Sequence, residues 1–319
     1  MEQNALQYVT VLGGVNIDIQ GFPKHKLILE DSNIGTVKVS LGGVGRNISE
    51  NLVRLGINTK LISVLGDDIY GFKILEESAK IGLDMNDSMI IKGENTSIYL
   101  AVLDEDNDMY IAINSMEILE KMSVDFIKEK YKTLCNSRLL VLDTNIPAKV
   151  LEYLLHKYNY KDIFLDTVSV NKAIKVKNLA GHIHTLKTNR LEVEAITGLA
   201  ASDEEGLIKN GDFLLEKGVK QIFITLGKKG VFYCNRDTMK IIRPDNIKPV
   251  NATGAGDAFM SALVYCYLSK MDIDAAAKFA TSASIIALSH ENTINPNMSV
   301  ENIKLQMKEL NYDEKVFRY

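Results

Sequence analysis

The stretch "EGLIKNGDFLLEKGVKQIFITLG", residues 205–227, contains one complete unit of the pattern that decides the fold. Leu207, Leu214 and Leu215 recur on one face at helical spacing, and Gly218 stands where a helix closes through a left-handed residue. A β-branched run follows at 221–227, so the spacing predicts a helix over 205–218 feeding directly into a strand.

The same unit recurs along the chain. "VGRNISENLVRLG" (44–56) carries Ile48, Leu52 and Leu55, "YGFKILEESAKIG" (70–82) carries Phe72, Leu75 and Ala79, and they end at Gly56 and Gly82. Strand-like runs are expected at 8–13, 60–66, 138–143, 162–166 and 184–189. Alternating strands and helices predict an α/β fold, in which a parallel sheet is covered on both faces through right-handed crossovers. Residues 15–41 and 96–114 break the alternation: "VNIDIQGF", "IGTVKVSLGG" and "TSIYLAVLDEDNDMYIAIN" read as extended pieces, the last with a hairpin turn at "DEDND". These four strands are expected to form a small antiparallel sheet outside the main one, a lid; the alternative is that they are edge strands of the main sheet. "NYDEKVFRY" at the end of the chain is expected as a surface tail.

Composition narrows function. The 319 residues are 46% hydrophobic and 24% charged with a net charge of −4, and no segment concentrates Lys and Arg, so nucleic-acid binding is not expected. No window approaches a membrane span and the start lacks a basic, apolar leader, which gives a cytoplasmic expectation. Cys135, Cys234 and Cys266 lie far apart, and they are expected as reduced, buried thiols rather than as disulfides or metal ligands.

Chemistry concentrates in "NATGAGDAFMSAL" (251–263), where small residues open an apolar helix. It is not a P-loop, because the one Gly-Lys pair, Gly227-Lys228, is followed by Lys229. Nor is it a dinucleotide fingerprint, whose third glycine would have to stand at Phe259. What remains is an uncovered helix start: Gly254, Ala255 and Gly256 leave their N–H groups open to an anion. Asp257 among them either caps the helix or takes the proton of a hydroxyl attacking a bound phosphorus, and the helix start is expected to keep it ionised, a weak base.

With these residues in place, the chain resembles the ribokinase-like (PfkB) family of sugar and nucleoside kinases along essentially its whole length. "LGGVGRNISENLVRLG" (41–56) is similar to the family's Gly-Gly substrate turn, and "NATGAGDAF" (251–259) to its anion hole and catalytic Asp. The resemblance implies a ribokinase-like three-layer α/β/α sandwich with a mostly parallel central sheet and a small antiparallel β lid, folded as a single kinase domain. It implies Asp257 as base with Gly254, Ala255 and Gly256 as anion hole, and Asn16, Asp18, Gly42, Gly43 and Asn47 around the sugar. On the nucleotide side it implies Lys187, Asn189, Thr225, Gly227, Gly230, Thr281 and Ala283, with ATP as phosphoryl donor and Mg²⁺ near Asn189 and Glu192.

The runs 93–114 and 183–198 resemble the branch of the family that phosphorylates pseudouridine, which would bring Thr96, Ser97 and Asn114 near the nucleoside. "GGVGRN" departs from the Gly-Gly-Lys-Gly-Ala-Asn of ribokinases, and Thr188 replaces a frequent Pro. The family commonly has Asp where Asn251 stands, and that Asp often serves a monovalent cation, so a K⁺ requirement is left open. Lid faces in this family often pair, which implies a homodimer.

Overall fold

A computed structural model describes residues 7–106, 108–245 and 253–318. The strands run in chain order as β1 (Val9–Leu12), β2 (Asn16–Pro23), β3 (Gly35–Gly42), β4 (Thr59–Ile62), β5 (Val64–Gly66), β6 (Met89–Ile91), β7 (Ile98–Leu103) and β8 (Met109–Ser115). They continue as β9 (Leu140–Asp143), β10 (Ile163–Asp166), β11 (Thr185–Asn189), β12 (Gln221–Thr225), β13 (Val231–Cys234), β14 (Met239–Pro244) and β15 (Tyr312–Arg318).

Nine of these form the main sheet in the order β15-β14-β13-β12-β11-β10-β9-β1-β4, parallel from β4 through β12 and antiparallel beyond. Its strands are apolar on both faces because both faces are covered. Leu140, Leu142, Ile222 and Ile224 enter one core with the helices Ala148–Lys157 and Glu204–Lys217. Their neighbours Val141 and Phe223 enter the other, with Val44–Arg54, Ala255–Leu268 and Ile273–Leu288. The result is a three-layer sandwich. The expected helix ends hold: Gly56, Gly82 and Gly218 have φ of 78°, 82° and 111°.

A separate four-stranded sheet, β3-β2-β7-β8, is made by the two segments that broke the helix–strand alternation. Its outer pairs are antiparallel, and β2 and β7 join in parallel. Registered residues share a face, so the row Ser40–Asp18–Tyr99–Asn114 lies on one side with Gln20 and Lys38. The other side is apolar: Val39–Ile19–Leu100–Ile113 forms one row and Val37–Gly21–Val102–Ile111 the next.

Three expectations change. The run 60–66 divides at Ser63, whose hydroxyl donates to the Gly13 carbonyl at 2.7 Å, and β5 leaves the main sheet to pair with β6. The expected tail is β15, an edge strand on β14 fastened by ion pairs of Glu314 with Lys278 and of Lys315 with Glu204. Cys234 and Cys266 are buried, but Cys135 is only half-buried; all three are free thiols. No helix among the described residues is long and apolar enough to cross a membrane.

Candidate active site

The carboxyl ends of the parallel strands meet where the strand order reverses, with β4 on one side of β1 and β9 on the other, which is where open α/β sheets form their binding crevice. Gly13 and Gly14 leave β1 there. A Cβ on Gly43 would lie 2.4 Å from the Gly14 carbonyl oxygen, and one on Gly45 2.8 Å from the Gly13 carbonyl carbon. These glycines let the roots of β2 and β3 cross backbone against backbone.

Asp257 sits in the first turn of Ala255–Leu268, 9% exposed, and accepts a 2.8 Å hydrogen bond from Asn47 Nδ2. The helix begins at Gly254, whose φ is 83°; a Cβ there would also strike the Thr293 carbonyl oxygen at 2.1 Å, and among the described residues no side chain caps the turn. The expectation that the helix start keeps Asp257 ionised is corrected. Burial, reinforced by the Asp166 charge and opposed by Lys187 and Asn47, pushes its carboxyl up to about 7.

Lys187 reaches the same turn: a Cβ on Gly256 would lie 2.6 Å from its Nζ. That ammonium donates to Asp166 Oδ2 at 2.9 Å. Burial alone would lower its pKa, but Asp166, Asp257 and Glu192 outweigh burial and raise it. Asp143, fully buried at the end of β9, accepts from the N–H groups of Gly14 and Asn145 at 2.8 Å each. Burial still pushes its carboxyl up to about 6.

Asn189 and Glu192 form a reciprocal capping box at the start of Arg190–Thr197. Asn189 Oδ1 accepts from the Glu192 N–H at 3.0 Å, and Glu192 accepts from Asn189 Nδ2 at 2.6 Å and the Asn189 N–H at 3.0 Å. The structure thus brings the two residues together, with both Glu192 oxygens taking hydrogen bonds.

On the expected sugar side, Asn16 Nδ2 donates to Asp18 Oδ1 at 2.6 Å, and Asp18 Oδ2 lies where a Cβ on Gly42 would stand, 2.2 Å away. Burial raises the Asp18 pKa, against Asn16 and Arg46. Among the described residues Ser97 Oγ and Asn47 Oδ1 are buried without a hydrogen-bond partner. Asn114 is exposed on the polar face of the four-stranded sheet. The Thr96 hydroxyl is engaged: it donates to Asp68 Oδ1 at 2.6 Å and accepts from the Gly66 N–H, which braces the N-cap residue of helix Ile69–Lys80. A cleft of ≈ 790 Å³ lies between this polar face (Gln20, Lys38, Ser40, Tyr99) and Thr253 and Glu291 of the main body.

On the expected nucleotide side, Thr225, Gly227, Gly230 and Thr281 line one apolar cavity of ≈ 330 Å³ with Gly256 and Phe259. Ala283 does not. It is fully buried in the core, because the face of Ile273–Leu288 that lines the cavity passes through Thr281, Ser284, Ile285 and Leu288 at helical spacing. Asp143, Asp166 and Ser284 went unassigned in the sequence. For the two Asp residues the signal was present, since each ends a strand-like run, "RLLVLD" and "DIFLD".

The fold and this crevice define an α/β protein with a glycine-rich helix start beside a buried carboxylate. The chain belongs to the pfkB family of carbohydrate kinases, whose pattern matches residues 6–300. It is 35% identical over 297 residues to a pseudouridine kinase of Escherichia coli K12, covering 93% of this chain and 95% of that one. A crystal structure of a putative sugar kinase from Clostridium perfringens superposes with a TM-score of 0.88 at 39% identity, covering 98% and 99%. A putative ribokinase II of E. coli, in complex with ATP and Mg²⁺, shares the fold at a TM-score of 0.82 and 18% identity, covering 95% and 100%.

Proposed function

We propose that this protein transfers the γ-phosphoryl group of ATP to the 5′-hydroxyl of pseudouridine, giving pseudouridine 5′-phosphate and ADP. The observation that carries the reaction type is Asp257, a buried carboxylate held by Asn47 at an uncapped glycine helix start that Lys187 also reaches. A carboxyl raised to about 7 suits a general base at neutral pH better than an ordinary aspartate does. Asp257 takes the hydroxyl proton while the N–H groups at 254–257 and the Lys187 ammonium face the charge of the moving phosphoryl group.

Adenine is assigned to the ≈ 330 Å³ cavity and the nucleoside to Asn16, Asp18, Gly42, Gly43, Asn47, Ser97 and Asn114. Among the described residues no group of three His, Cys, Asp or Glu could hold a metal alone. A lone buried carboxylate such as Glu192 fits a Mg²⁺ that arrives on phosphates, where the ion would screen their charge. A K⁺ site near Asn251 falls outside the described residues. The four-stranded sheet serves as a lid on a single kinase domain, its polar face excluding water from the cleft. Its apolar face meets a second copy in a cytoplasmic homodimer.

Support for the substrate comes from the E. coli pseudouridine kinase relative and from a cleft with polar groups beyond the sugar position. The test is an ATP-coupled assay across pseudouridine, uridine, inosine and ribose. Pseudouridine is expected to give the highest kcat/KM, and clear preference for ribose or uridine overturns the assignment.

A further inference from the structure

Directly after β10 the chain makes a partly buried turn, 166–169, in which Val168 has φ of 59°. A β-branched residue is the least suited to the left-handed region, and such strain persists only where surrounding contacts impose it, as they do at functional sites. Here the contacts are explicit. The Val168 N–H donates to Asp166 Oδ1 at 2.9 Å, and the Thr167 carbonyl accepts from the Thr144 hydroxyl and the Ser169 N–H, each at 2.6 Å.

The turn also delivers two side chains. Asp166 Oδ2 accepts from Lys187 Nζ at 2.9 Å, and the Thr167 hydroxyl donates to Glu192 Oε2 at 2.5 Å. Asp166 is 1% exposed and Thr167 is fully buried, so neither bond competes with water. Successive residues of an extended strand point to opposite faces, so simple continuation of β10 would have turned Thr167 away from the segment that Asp166 engages. The turn instead lets both end on groups of 187–192.

We propose that 166–168 is a positioning element for phosphoryl transfer, in which Thr167 aims the Glu192 carboxylate at a nucleotide-borne divalent cation while Asp166 holds Lys187 at the anion site. This rests on the kinase reading above. Thr167 touches neither substrate nor metal; it acts through Glu192, by fixing which way the carboxylate faces.

The test uses Mn²⁺ with the non-hydrolysable analogue AMP-PNP, read by water-proton relaxation on the full chain, beside the melting temperature and kcat. Thr167→Val keeps shape and removes the hydroxyl; it is expected to weaken Mn²⁺ binding to the enzyme–analogue complex by about 10–100-fold. Binding of the analogue without metal should stay unchanged, and Thr167→Ser should restore most of the lost affinity. Should Thr167→Val unfold, Thr167→Ala is read in its place. Parent-like Mn²⁺ affinity in the hydroxyl-free variant overturns the proposal, and so does a folded Thr167→Ser protein that binds as weakly. A parent that fails to bind Mn²⁺ with the analogue sinks the kinase reading and this inference together, whereas a parent that binds beside an unaffected variant sinks this inference alone.

Discussion

Replacing Asp257 with Asn should make the protein more stable and nearly inactive, and the size of the first effect can be worked out. The carboxyl is raised from 3.8 to about 7, chiefly by burial and the Asp166 charge. At about 1.4 kcal/mol per pH unit, the ionised form costs the folded state about 4 kcal/mol. The sign follows from linkage. A carboxyl with a raised folded pKa contributes stability that is whole below its unfolded value and is lost as pH rises through about 7.

At pH 5 the folded parent carries a protonated Asp257, as neutral as the amide, but the unfolded carboxyl is already ionised, so Asp257→Asn should melt only about 2 °C higher. At pH 8.5 the parent bears the buried charge, and the variant should melt about 5 °C higher. Asn Oδ1 can still accept from Asn47 Nδ2, so the hydrogen bond at this position survives the change. Activity should move the other way. In the parent, kcat/KM for the nucleoside should rise with pH through an apparent pKa near 7, and Asp257→Asn should lose more than about tenfold and that acid limb with it. Thermal melts without nucleotide at both pH values, with the two kcat/KM profiles, check this. Melting curves that stay parallel across pH, or turnover within about tenfold of the parent, refute the reasoning.

The apolar face of the four-stranded sheet exposes Val37, Val39, Ile111 and Ile113, with Ile113 60% exposed. Ile113→Glu puts a charge on that face, on its edge strand β8, and should convert a dimer to a monomer by light scattering without changing the melting temperature of the body; a monomeric parent contradicts the pairing. Gly230 and Gly227 both have positive φ, 91° and 60°, but a Cβ on Gly230 would strike the Ile242 carbonyl oxygen at 1.9 Å while one on Gly227 meets nothing within 4 Å. Gly227→Ala should therefore cost about 1 kcal/mol, and Gly230→Ala clearly more with a raised KM for ATP, so equal losses in melting temperature would count against the geometry.

The layered body was legible because its elements announce themselves locally. The unit at 205–227 appears as helix Glu204–Lys217, a left-handed Gly218 and β12. What escaped was edge structure. β15 reads as a charged tail since Asp313, Glu314 and Lys315 interrupt any apolar run; that polarity guards an edge strand, and its pairing with β14 depends on residues some seventy positions away. Ala283 failed for a related reason: a run of small residues says that a helix wall is close to something, and only its neighbours say which face.

Asp257 shows where local reasoning stops in the site itself. A helix start favours a negative charge by up to about 2 kcal/mol, and on that effect alone the carboxyl would stay ionised. Opposing it are burial and the charges of Asp166 and Asp143, which arrive from the ends of β10 and β9, about 90 and 115 residues earlier in the chain. Burial and repulsion together outweigh the helix start and Lys187, leaving the carboxyl near 7. The motif singled out Asp257 as the proposed base. Its readiness to take a proton depends on which other carboxylates the parallel sheet collects at the same edge, which is a property of strand order rather than of "TGAGD".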